Sequence, residues 1–545
     1  MPARAVSRAR RRQKSEHRIP QRADHSARAS AICSFGQIAQ RYGDSLAAVS
    51  DRAGRPVAHP APPAGRSSSD IPLWVLFVAV AVMLALAGVA AFTLTHDGTA
   101  KSSSYPDKWD SRIAPYAKIA EKQRGLLFMH PVTVRFLPAA EFKKSVTADE
   151  KELSKEDRTE IEQFTGLMRA FGLITGDLDL FEAVNDFSGG GTLAYYSFDD
   201  RRITIRGDKL TPAVRSTLVH ELTHVLQDQH FAVGDRLERL RKKSKDGASR
   251  SDDDVLDAII EGDAVRIQTL HRDSLTAKKR RALDAGRKDE GARASKSIKQ
   301  VPKVIVTMLT SPYTLGESLV QTVAADGGNA AVNKLFRDAP THESSLLDPL
   351  QVLAGDTDAV KVDVPKLEDG EKKFDSGEFG VLTWYLMLAE RLPLLDALGA
   401  ADGWGGDAYV AFERGRESCA RMAYAGDTPA DTTRMLSALR RWIAAAPGSP
   451  AEVSLEGGVV RFESCDPGKA ADVGKDASRD AVGLVTTRTY LGVALIRAGA
   501  PENRARCLAG RLVREFPVSR LVDPKFGAGD PAERARVQQL AAGCR

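Results

Sequence analysis

The stretch TLVHELTHVLQDQH, residues 217–230, sets His220 and His224 four apart and places Glu221 directly after the first. Side chains four apart on a helix share one face, one turn above the other, so both imidazoles can point a nitrogen at one ion. Glu221 is rotated by one residue and stands beside such an ion, where a base takes a proton from a metal-bound water. Zn2+ with three protein ligands keeps a fourth position open for that water, and a carboxylate is a common third ligand. The best downstream candidate is Glu261 in AIIEGDA. Gly262 beside it costs a helix roughly 1 kcal/mol relative to alanine, a cost that close approach of two helices around an ion would explain.

The chemistry these residues imply is hydrolysis. Zinc lowers the pKa of its water toward neutrality, Glu221 takes the proton, and the hydroxide attacks a carbonyl; Glu221 then passes the proton to the leaving amine. The oxyanion needs a further donor, for which His342, Tyr313, His271 and Tyr195 are candidates, each better explained as a core, helix-packing or loop residue. Asp228 and Asp263 are candidate acceptors for the outward N–H groups of the ligating histidines, or else solvated helix positions.

A helix must carry the motif, and the sequence supplies its start. Thr211 is able to cap and Pro212 is tolerated in the first turn, after which Val214, Leu218, Leu222, Val225 and Leu226 recur at helical spacing. The helix spans some eighteen residues on this reading. Before it, residues 192–206 read as a hairpin turning at Asp199–Asp200, residues 131–137 as a strand and residues 160–174 as a helix. After it, the charged run 236–254 leads to a helix over 255–270 that Ser251 or Asp254 is placed to cap. Residues 304–415 read as mostly helical, with clear apolar patterns at 313–325 and 379–392. A two-stranded unit follows at 453–465 and a small helical tail over 484–545.

Composition bounds the class. The chain has 545 residues, 43% hydrophobic and 28% charged, with net charge +6 and a pI near 8.9, an ordinary globular balance that gives no reason to expect nucleic acid. Residues 1–70 hold thirteen Lys/Arg against five Asp/Glu and read as a disordered basic tail. Residues 71–94 carry no charge over twenty-four positions, enough for a helix across the roughly 30 Å core of a bilayer and too long for a signal peptide. The tail's basic excess favours its staying in the cytoplasm, which places the rest outside. Past residue 94 the cysteines form an even set, Cys419, Cys465, Cys507 and Cys544, as an oxidising compartment favours. Sequence neighbours suggest the pairs Cys419–Cys465 and Cys507–Cys544. Residues 272–303 hold eleven Lys/Arg against four Asp/Glu: a solvated face, or a contact for acidic lipid or an anionic wall polymer.

Taken together, AYYSFDDRRITIR, TLVHELTHVLQDQHF and AIIEGDA resemble the gluzincins, the thermolysin-like zinc metallopeptidases, and more closely the membrane-anchored bacterial neutral zinc metallopeptidases. The likeness is specific over residues 192–270. It weakens later, at YTLGESLV, DAPTHESSLLDP and GWGGDAY, and leaves out the tail and span. The gap from His224 to Glu261 is longer than in thermolysin-like enzymes, as an inserted charged loop would make it. The resemblance implies His220, His224 and Glu261 as ligands, Glu221 as base, and peptide or protein substrates. The expected fold is α+β: a mainly helical zincin-like domain with a small β-sheet before the motif helix, preceded by a disordered tail and one transmembrane helix. The expected division is tail 1–70, span 71–94, linker 95–110, peptidase-like domain 111–400 and a disulfide-containing region 401–545. The rival expectations are a zinc-binding protein without catalysis and a membrane- or wall-binding extracytoplasmic protein.

Overall fold

The computed structural model describes residues 105–244, 251–355, 359–469, 474–523, 525–527 and 530–544. The first long element is α1 (Ala114–Arg124), which Gly125 ends in the left-handed region while donating its N–H to the Glu121 carbonyl. A three-stranded sheet follows, built from β1 (Thr133–Leu137), β2 (Ala194–Ser197) and β3 (Arg202–Arg206) in the order β1-β3-β2. β1 runs parallel to β3, whereas β2 is antiparallel to it and forms the expected hairpin, Tyr196 opposite Ile203.

The motif helix is α2 (Pro212–Phe231), twenty residues long, with Thr211 Oγ1 accepting from the Val214 N–H at 3.3 Å. It is less amphipathic than its apolar stripe suggests: from Ala213 to Gln227 every residue but Arg215 is buried. The Glu-bearing helix, α3 (Ser251–Ser274), begins at Ser251, so Asp254 lies inside it. Part of the charged run before it is helical as well, over Val233–Ser244. Next come α4 (Ala277–Ser297), whose buried residues are only Leu283, Gly291 and Ala294, and α5 (Lys303–Arg337), broken at Gly327 and Gly328. α4 is therefore a largely solvated helix, as its eleven-cation neighbourhood requires.

A second, five-stranded antiparallel sheet stands in the later part of the chain. Its strands are β4 (Lys372–Gly377), β5 (Trp404–Arg414), β6 (Glu417–Gly426), β7 (Ala451–Glu456) and β8 (Val459–Cys465), in the order β4-β5-β6-β8-β7. β4 comes from before residue 400 and the rest from after it, so the sheet straddles that position. The apolar helix α6 (Val381–Ala389), buried at all nine residues, and α7 (Ser478–Arg497) belong to the same large core that holds residues of α3 and α5. A smaller core gathers α1, α2 and the first sheet. Cys419 and Cys465 face each other in register across β6 and β8 and are joined by a disulfide; a second bridge links Cys507 to Cys544.

The α+β character is present, but the membrane part of the expected fold and location needs correction. No helix among the described residues is long and apolar enough to cross a membrane, so a single-pass protein with an external domain is not supported. The physical reason is length: among the described residues the most apolar helix is α6, which at nine residues is only about 14 Å long. The longer helices carry charges or, like α5, are interrupted. The tail at 1–70 and the apolar segment at 71–94 lie outside the described residues. The two disulfides point to an oxidising setting.

Candidate metal centre

Three side chains from two helices meet beneath the first sheet. His220 Nε2 lies 3.1 Å from Glu261 Oε2, and His224 Nε2 lies 3.4 Å from the same oxygen. The rings of His220 and His224 stand nearly perpendicular, at 85°, with centroids 4.6 Å apart. Zinc–ligand bonds of about 2.0–2.1 Å in a tetrahedron put neighbouring ligand atoms roughly 3.4 Å apart, close to both of these separations. The donor chemistry fits as well: two neutral imidazoles and a carboxylate, all buried.

Charge in the metal-free protein is distributed unevenly. Burial depresses His220 to about 4, against the pull of Glu261. His224 suffers the same burial, but the Glu261 and Glu221 carboxylates outweigh it and hold the imidazole up at about 9. Burial would raise Glu261, yet the charge of His224 and hydrogen bonds from both histidines draw it down to about 2. Burial pushes Glu221 up to about 8, opposed by His224 and reinforced by Glu261. A proton thus rides on His224 near neutral pH, and a divalent cation entering the site displaces it.

Glu221 is fixed by the first sheet. β2 is the edge strand, and the Tyr196 N–H, which no neighbouring strand takes, donates to Glu221 Oε2 at 2.8 Å. All four residues of β2 are buried, so this strand offers no open edge to an extended peptide.

The remaining candidates divide clearly. Asp263 approaches the centre through an intermediary: its Oδ2 accepts from Gln227 Nε2 at 3.2 Å, and Gln227 Oε1 lies 2.9 Å from His224 Nδ1. Asp228 touches neither histidine; it accepts from the Gly234 N–H at 3.0 Å and the Tyr196 hydroxyl at 2.9 Å, turning the chain out of α2. Of the four oxyanion candidates, only Tyr313 is at the centre, its ring stacked on His220 at 6.2 Å. Tyr195 packs against Phe142, and His342 against Trp404 of the second sheet. His271 lies ten residues beyond Glu261 on α3, about 15 Å along its axis, buried with no hydrogen-bond partner on Nδ1.

Gly262 does mark a close helix approach, but to a different helix. A Cβ there would overlap the backbone carbonyl of Gly316 on α5 and come within 2.6 Å of the Glu317 nitrogen. The glycine lets α3 and α5 touch backbone to backbone, which sets the position of Glu261 from behind. Sequence reasoning missed Gln227 and the Tyr196 N–H. Gln227 was within reach, since a residue three after His224 shares its helix face. The Tyr196 contact depends on strand pairing and had no local signal.

The whole centre is covered. His220, Glu221, His224 and Glu261 are respectively 0%, 2%, 1% and 5% exposed.

In comparison with known proteins, residues 369–492 match the model of a domain of unknown function, DUF8575. That segment holds the five-stranded sheet and most of α7 and leaves His220, His224 and Glu261 outside. No curated protein and no solved structure matches the chain.

Proposed function

We propose that the chain is a zinc-dependent hydrolase of peptide bonds, with His220, His224 and Glu261 holding the ion and Glu221 as the base. The observation that supports this reading best is the convergence of two imidazole nitrogens on one carboxylate oxygen, at 3.1 and 3.4 Å, with a second carboxylate one residue along the same helix. A bound ion of this kind supplies Lewis acidity, acidifying water and polarising a carbonyl. Tyr196 holds Glu221 Oε2, which fixes the rotation of the carboxylate and leaves Oε1 to exchange a proton between water and the leaving amine. Tyr313, stacked on His220, is the residue best placed to reach a developing oxyanion.

The covering of the site favours a second reading, a metal centre that holds the fold together and cuts nothing. The two are separated by Glu221→Gln and His220→Ala in the purified chain, read by zinc content and by cleavage of a peptide library. Hydrolysis calls for Glu221→Gln to keep zinc and lose cleavage while His220→Ala loses both. A fully zinc-loaded wild-type chain that cleaves no peptide establishes the structural reading.

A further inference from the structure

We propose that Gln227 is a positioning residue for His224, dictating which ring nitrogen carries hydrogen and so presenting Nε2 to the ion. The inference rests on the zinc reading above and concerns a residue three positions past the second histidine.

The argument is one of donors and acceptors. The Gln227 side-chain amide has three neighbours: the Ile260 carbonyl at 3.0 Å, Asp263 Oδ2 at 3.2 Å and His224 Nδ1 at 2.9 Å. A carbonyl can only accept, and the Asp263 oxygen already accepts from the Arg124 guanidinium, so the amide nitrogen must face them. The amide oxygen is then the atom facing His224, and it can only accept. His224 must therefore donate from Nδ1, so that once a metal ion has displaced the second proton the Nε2 lone pair is the one left for that ion.

What keeps the amide from flipping is Asp263. It is itself held in place by two guanidinium groups. Arg124 Nε donates to Oδ2 at 2.6 Å and Arg266 Nη2 to Oδ1 at 2.9 Å. Arg124 is the last residue of α1, is fully buried, and also donates to Asn333 of α5 at 2.7 Å. Four helices thus clamp one amide, and through it one imidazole. His220 has no such support: its Nδ1 is buried without a hydrogen-bond partner. The two histidines of the motif are unequal, and His224 is the pre-oriented one.

Packing alone and positioning predict opposite orders for two substitutions. Gln227→Met fills the same space without an acceptor. Gln227→Glu keeps one: holding a proton toward Asp263, the new carboxyl still accepts from Nδ1 through its other oxygen. Zinc affinity is measured on the full chain by competition with a chromophoric chelator, and folding is checked by circular dichroism. Gln227→Met is expected to lose about 10- to 100-fold in affinity. Gln227→Glu is expected to stay within a few-fold of wild type, although it is the less stable of the two. Equal affinity for Gln227→Met and wild type, or weaker binding by Gln227→Glu than by Gln227→Met, overturns the proposal while leaving the zinc reading intact. A wild-type chain that binds no zinc removes both. A readout independent of substitution is the 15N spectrum of the zinc-loaded wild-type chain, in which His224 must carry its proton on Nδ1; a proton on Nε2 overturns the assignment.

Discussion

Gly262→Ala is the most informative single change outside the ligands, because it moves a ligand without altering any. The added Cβ meets the Gly316 backbone, not a side chain that can rotate away, and stands 2.6 Å from the Glu317 nitrogen. Ordinary contact begins near 3.4 Å, so α3 and α5 must part by at least about 0.8 Å. Gly316 is equally constrained from the other side, since a Cβ there would overlap the Ala258 carbonyl. Overpacking of this kind costs roughly 1–3 kcal/mol. Alanine regains about 1 kcal/mol of helix propensity, and because backbone cannot repack, the cost falls at the upper end and leaves a net loss of about 2 kcal/mol.

The displacement also reaches the metal centre. Glu261 is the neighbouring residue, and α3 is held between α5 and α2, so α3 is pushed toward the histidines. Metal–ligand distances tolerate about 0.2 Å, well under that displacement, and zinc affinity is expected to fall about 10- to 100-fold. Urea unfolding followed by circular dichroism and zinc competition read the two effects separately. Gly286→Ala on α4 is the control: its Cβ would stand 3.7 Å from Ala213, an ordinary contact, so that change is expected to be neutral or to stabilise by up to about 1 kcal/mol. If Gly262→Ala matches the control in stability and retains full zinc affinity, the account of the α3–α5 crossing is wrong.

Two further outcomes follow from the same residues. Chelation is expected to lower the unfolding midpoint of the wild-type chain, and free zinc at 100 times its dissociation constant to restore about 2.7 kcal/mol; His220→Ala should show no such difference. The second concerns pH. Burial, with added repulsion from Glu378 and Asp407, raises the Glu343 carboxyl well above the usual range, although the Leu382 N–H opposes this. The folded chain then keeps a proton that the unfolded chain has released. Its contribution to stability is complete below the unfolded carboxylate pKa of about 4.3 and is lost as pH climbs through the raised value. Glu343→Gln, which can still accept from the Leu382 N–H, should flatten the fall in zinc-free stability between about pH 5 and 8. His224 and Glu221 contribute slopes of the same sign, so the difference between variant and wild type is the quantity to compare.

Much of the architecture around the centre was legible because its signals are local. Thr211 and Pro212 mark a helix start in any context, and the Asp199–Asp200 turn between two β-rich runs marks a hairpin. The second sheet was mostly hidden for a physical reason. β5 is buried at its first nine positions, so the period-two alternation that betrays a half-exposed strand is absent. Gly405 and Gly406, both pressed against neighbouring backbone, weaken the strand signal further. Of this sheet's strands, β8 kept the alternation that sequence can display, with Val460 and Phe462 buried between partly exposed neighbours.

The centre shows the same division between what spacing encodes and what packing decides. His220 and His224 are paired by the helix alone, so four positions of sequence suffice. Glu261 is brought to them by a helix crossing that no spacing encodes, and its neighbour Gly262 gave the right warning about close approach with the wrong partner in view. Asp228 and Asp263 were indistinguishable as sequence, each an acid near a ligand. Burial separates them: fully enclosed, Asp263 needs two arginines and an amide, and that need draws α1 and Gln227 into the centre. Asp228, near the end of α2, finds a backbone N–H and a tyrosine hydroxyl close by, with the partly exposed Arg201 guanidinium at 3.9 Å. The fully buried one of the two carboxylates is thus the one tied, through Gln227, to His224.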